Sequence, residues 1–103
     1  MTAAYEDAKV FMAFSDITRL KVLELLRTGE KTATALQELL NSGQSTLSHH
    51  MKILIESGIV TSRKLGKWTY YSICETGGAY ASKLLNVFTT KKEESQEGES
   101  ENE

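Results

Sequence analysis

From Gln44 to Gly58 the chain reads QSTLSHHMKILIESG, with apolar Leu47, Met51 and Leu54 on the spacing of one helix face and Ile55 beside them. The other side opens with Gln44, Ser45, Ser48 and His49 and continues to Lys52, and no acid interrupts it before Glu56. Short polar and cationic groups reach base edges and phosphates, whereas a solvated helix face ordinarily mixes in acids. An ordinary amphipathic surface helix would show the same apolar spacing, so the neighbouring elements decide between the two readings.

Upstream, Ala4, Ala8, Phe11 and Phe14, with Val10 alongside, predict a first helix over Ala3–Phe14. Its two Phe side chains either dock on the domain's own core or meet a second copy. Ser15 or Asp16 can cap a second helix running to about Leu26. Ile17, Leu20, Leu23 and Leu26 recur there at intervals of three, Val22 and Leu25 widen the stripe, and Arg19, Lys21, Glu24 and Arg27 fill the rest. Thr28-Gly29-Glu30 stops it. Thr32 or Thr34 opens a short third helix through Leu40 that buries Leu36, Leu39 and Leu40, and Asn41-Ser42-Gly43 turns straight into the Gln44 helix. Two short helices joined by a brief Gly-containing turn form the helix-turn-helix pattern, whose second helix can enter a major groove.

Ser57-Gly58 ends that helix, and the residues Ile59–Leu65 and Lys67–Ile73 read as two strands around Gly66, rich in β-branched and aromatic side chains. Arg63 and Lys64 on one arm and Lys67 on the other make the hairpin tip basic. A charged hairpin end is commonly a solvated surface. Directly after a helix-turn-helix it is also the wing that follows a DNA backbone or minor groove. Trp68 and Tyr70 share one strand face, expected to pack the sheet onto the helices, with Tyr71 opposite. Glu75 and Thr76 open a last helix, awkwardly through Gly77-Gly78 and firmly from Ala79 to about Phe88, with an apolar stripe of Ala81, Leu84, Leu85 and Phe88 that Tyr80 and Val87 extend. Phe11, Phe14, Tyr80, Leu84 and Phe88 are more apolar surface than a small winged domain covers, which points to a symmetric dimer through the first and last helices. The expected fold is mainly α with a β-hairpin wing, a winged helix-turn-helix of order α-α-α-α-β-β-α.

Composition refines this. The 103 residues suit one domain, expected over 1–90, and residues 91–103 carry six Glu with no apolar residue, an acidic tail expected to be disordered. The net charge of −2 hides an asymmetry: residues 1–90 hold ten Lys or Arg against eight acids. From Gln44 to Tyr71 there are four basic residues and one acid, so the folded part can meet a polyanion. No leader peptide or membrane-length apolar run is visible, and the lone Cys74 fits a reducing cytoplasm. Cys74 is a small buried hydrophobe or a redox-active thiol. His49 and His50 are adjacent on a helix and point about 100° apart, which argues against a shared metal ion. No phosphate-binding glycine loop, nucleophile elbow or catalytic constellation is present, so neither an enzyme nor a bound cofactor is expected.

From Phe11 to Ile73 the chain resembles the ArsR/SmtB family of winged-helix transcriptional repressors, through SDITRLKVLELLRTGEKTATALQELL and QSTLSHHMKILIESGIVTSRKLGKWTYYSI. The resemblance implies a homodimer on an imperfect promoter palindrome, with Gln44, Ser45, Ser48 and His49 facing bases or backbone, His50 in a packing or hydrogen-bonding role, and Arg63, Lys64 and Lys67 in the wing. It also implies, for many members, release of DNA when a metal or arsenical binds. Here the family's Cys-x-Cys unit reads Thr32-Ala33-Thr34, and its second site reads Cys74, Thr76, Val87 and Thr90. Hydroxyls do not replace thiolates for soft ions. The signal is then non-metal or redox, or there is none, or the chain is a ligand-deficient variant. The rival functional class is a winged-helix protein-interaction module that binds no DNA.

Overall fold

A computed structural model describes residues 3–93. Four helices precede the wing as expected: α1 (Ala3–Met12), α2 (Ile17–Leu26), α3 (Ala33–Leu40) and α4 (Gln44–Glu56). A two-residue strand, β1 (Lys31–Thr32), sits between α2 and α3, and β2 (Val60–Leu65), β3 (Trp68–Ile73) and α5 (Glu75–Thr89) complete the chain. Most of the expected acidic tail, residues 94–103, lies outside the described residues.

Local chemistry starts and stops these helices. Asp16 caps α2, its Oδ2 accepting from the N–H groups of Thr18 at 2.8 Å and Arg19 at 3.2 Å. The Thr32 hydroxyl caps α3 by accepting from the Ala35 N–H at 3.1 Å. Asn41 ends α3 in the left-handed conformation, at φ 52°, and Gly43 begins α4 with no side-chain cap.

The α2 stripe differs from the expected one. Ile17 is 70% exposed and Leu20 46%, while Arg19, Val22, Leu23 and Leu26 are buried. A spacing of three drifts around a helix of 3.6 residues per turn, and only the series 19, 22, 23, 26 stays on one side. Leu39 on α3 is likewise exposed, leaving Leu36 as that helix's fully buried residue. The core gathers Val10, Ala13, Val22, Leu26, Leu36, Leu47, Met51, Leu54, Ile59, Val60, Ala81 and Leu84.

The sheet has the order β1-β3-β2, with both pairings antiparallel. Leu65 pairs with Trp68, so Gly66-Lys67 is a two-residue turn, opened by Gly66 at φ 62°. Alternation along β3 puts Tyr71 and Ile73 against the core, with Ile73 fixed opposite buried Val60. The expectation that Trp68 and Tyr70 pack the sheet onto the helices is therefore corrected. They occupy the outer face, and Trp68 is exposed.

Helix α5 begins a full turn earlier than its firm part was expected to, and it includes Gly77 and Gly78. A Cβ on Gly77 would collide with the Gly58 carbonyl, so the residue that weakens the helix locally is what lets α5 pass the end of α4. The Cys74 N–H donates to the Ile59 carbonyl at 2.7 Å and fixes the same junction. No helix among the described residues is long and apolar enough to cross a membrane.

Candidate nucleic-acid interface

Helix α4 buries Leu47, Met51 and Leu54 and leaves Gln44, Ser45, Ser48, His49 and Lys52 exposed on its other side. Lys52 is committed in part: its Nζ lies 2.8 Å from Glu56 Oε2, one turn on. Hydrogen bonding to Glu56, and then its charge, holds the Lys52 ammonium above its ordinary range. His50 turns inward, with Nδ1 2.9 Å from Arg19 Nη1, and its ring centroid is 5.5 Å from that of His49.

The wing divides its cations between two faces. Arg63 pairs across the hairpin with Tyr70, and its guanidinium lies 4.4 Å from that ring's centroid. The same guanidinium forks onto Glu30, at 2.8 Å from Nε to Oε2 and 2.9 Å from Nη2 to Oε1. Arg63, assigned to DNA from the sequence, is thus held against the turn that follows α2. Lys64 pairs with Thr69 and points to the opposite face. Lys67, in the turn, sits 5.3 Å from the centre of the Trp68 ring.

Across the molecule, Phe11 meets Phe88 edge to face with ring centroids 5.8 Å apart. Phe14, Leu85, Val87 and Phe88 are exposed, and Tyr80, also exposed, donates a hydrogen bond to Asp7 at 3.0 Å. Leu84, expected at a dimer seam, is instead buried in its own core. Between the two helices lies a groove of about 400 Å³ lined by Phe11, Phe14, Gly78, Ala81, Ser82 and Leu85.

Cys74 is half-buried at the start of α5, its Sγ 3.3 Å from Thr76 Oγ1. The Thr76 hydroxyl, followed by the Gly77 N–H, holds the thiol below its ordinary range. Thr32 spends its hydroxyl on the α3 cap and Thr34 is exposed. Among the described residues no three His, Cys, Asp or Glu side chains converge as metal ligands do.

Known proteins share this arrangement. The profile of the bacterial regulatory protein, arsR family, matches residues 16–62, from the α2 cap into β2. An arsenical resistance operon repressor of Staphylococcus xylosus is 36% identical over 85 residues, which span 82% of this chain and 82% of that protein. The chain belongs to the ArsR family. Among solved structures, a possible transcriptional regulator for arsenical resistance superposes on this ArsR-family fold with a TM-score of 0.72 at 28% identity, covering 91% of this chain and 97% of that one. A homodimeric winged helix-turn-helix DNA-binding domain from Mycobacterium bovis, a possible ArsR-family regulator, gives 0.69 at 26% identity, covering 87% and 84%. Family and fold together identify a DNA-binding transcriptional regulator.

Sequence reasoning missed two contributors to this ArsR-family site. Arg19 lies behind α4, and Glu30 lies behind the wing. The 19, 22, 23, 26 helix face was the available signal for Arg19. Glu30 and Arg63 are too far apart in sequence for any local pattern to connect them.

Proposed function

We propose that this ArsR-family chain is a cytoplasmic homodimeric repressor, without catalytic activity, that seats α4 in successive major grooves of a palindromic promoter operator. The carrying observation is the exposed α4 face of Gln44, Ser45, Ser48 and His49, which holds no acid. Gln offers both donors and an acceptor to a base edge, and Ser accepts or donates toward bases or phosphate. Lys64 and Lys67 supply the sequence-independent phosphate attraction. Two copies are needed because a palindrome presents its half-sites about one helical turn apart, and the apolar groove between α1 and α5 is the surface for joining them. A repressor and a homodimeric DNA-binding domain among the similar proteins support the same assembly. Any inducer is of a kind that does not require thiolates at Thr32 and Thr34, since hydroxyls are poor ligands for soft ions.

Fluorescence-anisotropy titration against DNA upstream of the chain's own gene, beside scrambled DNA, tests this at two salt concentrations. Tight binding to the upstream DNA alone, weakening as salt rises, is expected. No binding to either DNA at low salt would favour a protein-interaction module instead.

A further inference from the structure

Arg19 is buried at 7% exposure, and no other charged side chain among the described residues is buried as deeply. A guanidinium withdrawn from water needs its donors satisfied in fixed directions. Nε and Nη2 donate to the Met12 carbonyl at 3.2 and 3.1 Å, and Nη1 donates to His50 Nδ1 at 2.9 Å. Arginine only donates, so Nδ1 accepts and the proton of the neutral imidazole sits on Nε2. Asp16 Oδ2, 3.7 Å from the same Nδ1, is beyond hydrogen-bond reach and is engaged by the α2 cap.

Three elements meet at this one side chain. Met12 is the last residue of α1, Arg19 lies in the first turns of α2, and His50 follows the exposed His49 on α4. The other anchors of α4 (Leu47, Met51 and Leu54) are apolar, and apolar contact is non-directional. With a helix radius of about 5–6 Å, a rotation of about 20° moves a side-chain tip by about 2 Å. That is enough to break a base hydrogen bond, which tolerates only a few tenths of an ångström.

We propose that Arg19 is a positioning residue for sequence readout. Through His50 it fixes the rotation of α4 about its axis, and through the Met12 carbonyl it ties that rotation to α1, whose Phe11 packs on Phe88 of α5. The inference rests on the DNA-reading role given to α4 above.

The test uses the full chain with His50→Asn and His50→Phe. Asn places an acceptor oxygen where Nδ1 stands, whereas Phe keeps the ring and removes the acceptor. With folding checked by circular dichroism, His50→Phe should lower the operator-to-random affinity ratio by about tenfold or more, the effect of one or two misplaced base contacts. Binding to random DNA should stay within about twofold and His50→Asn within about threefold of wild type, because phosphate attraction and the acceptor are then retained. Arg19→Lys, which reaches one partner but not both, should lose the ratio as His50→Phe does and serves if the Phe variant does not fold.

A ratio unchanged in the folded Phe or Lys variant, an Asn variant as poor as Phe, or a loss equal on both DNAs would overturn the proposal. A wild type with no operator preference would count against the proposed function instead, and amide exchange over residues 44–50 then decides. Faster exchange in His50→Phe but not in His50→Asn upholds the strut, and equal exchange in all three removes it.

Discussion

Arg63 grips both carboxylate oxygens of Glu30, at 2.8 and 2.9 Å, across 33 residues of sequence. The fork joins the base of the wing to the turn after α2, and Ser72 adds a longer contact to the same carboxylate at 3.4 Å. A two-pronged pair fixes direction as well as distance. It is solvent-accessible on both sides, so its value lies in geometry more than in energy.

The three wing cations should therefore not behave alike on DNA. Lys64 and Lys67 form no ion pair among the described residues, while the charge of Arg63 is matched by Glu30. Lys67→Ala should weaken operator and random DNA alike and flatten the slope of log affinity against log salt by about one. Arg63→Ala should change that slope less, because a guanidinium held on Glu30 displaces few counterions from phosphate. Salt titrations of both variants check this, and equal slope changes would return Arg63 to the phosphate-contacting set.

Acid should loosen the same fork. Glu30 is held below the ordinary carboxylate range, chiefly by its hydrogen bonds from Arg63, with burial opposing and the charge of Arg63 and a hydrogen bond from Ser72 assisting. Asp16 is also lowered: burial pushes it up, but the N–H groups of Arg19 and Thr18, with the charge of Arg19 assisting, outweigh that push. A depressed folded-state value means the stabilisation is complete above the unfolded-state value and is lost as pH falls through the lower one. The share of these two groups should thus hold at neutral pH and fade below about pH 4. Thermal melts from pH 6 to pH 2.5 should show a shallower acid decline for Glu30→Gln. A decline as steep as wild type would deny Glu30 that share.

The sequence made the five helices and the hairpin legible because each repeats a local period: α4 in its Leu47, Met51, Leu54 face and β3 in its aromatic alternation. What stayed hidden involved competition between distant groups. Arg19 looked like surface because a charge on a core face needs partners, and those partners, Met12 and His50, come from other helices. Trp68 looked like core because the hairpin needs one covered face and Trp68 shares a face with Tyr70, yet strand parity and the pairing of Ile73 with Val60 gave the inner face to Tyr71. Two residues of β1 are too few to show alternation, and only pairing with Tyr70 and Tyr71 makes them a strand. For α4 the sequence showed which side chains share a face, but it did not show what fixes that face in space.

Two glycines at helix starts should respond in opposite ways. Gly77→Ala drives a methyl into the Gly58 carbonyl, so α5 must shift or the end of α4 must give. A loss of about 2 kcal/mol or more is expected, as for other steric conflicts in packed interiors. Gly43 has ordinary extended dihedrals and open space around its Cβ position, so Gly43→Ser is compatible with its backbone. It should gain about 0.5–1 kcal/mol through the missing cap and a stiffer unfolded chain. Chemical denaturation of both variants checks the contrast, and a neutral Gly77→Ala would mean that the close approach relaxes freely.

The dimer prediction turns on neighbouring leucines of α5. Leu84 is buried in the chain's own core, and Leu84→Ala should destabilise the fold by about 2–5 kcal/mol. Leu85 is 55% exposed beside Phe11 and Phe14 on the groove, so its charge-bearing variant Leu85→Glu leaves that core intact. If the groove is where two copies meet, Leu85→Glu places a desolvated carboxylate at the seam, and the variant should sediment as a folded monomer where wild type sediments as a dimer. Its affinity for a full palindrome should then fall by about 100-fold or more, as the second half-site loses its tethered reader, while affinity for an isolated half-site changes little. Sedimentation velocity and anisotropy on the two DNAs give both numbers. A Leu85→Glu protein that remains dimeric would move the seam elsewhere, most directly to the outer α5 face of Val87 and Phe88, both 60% exposed.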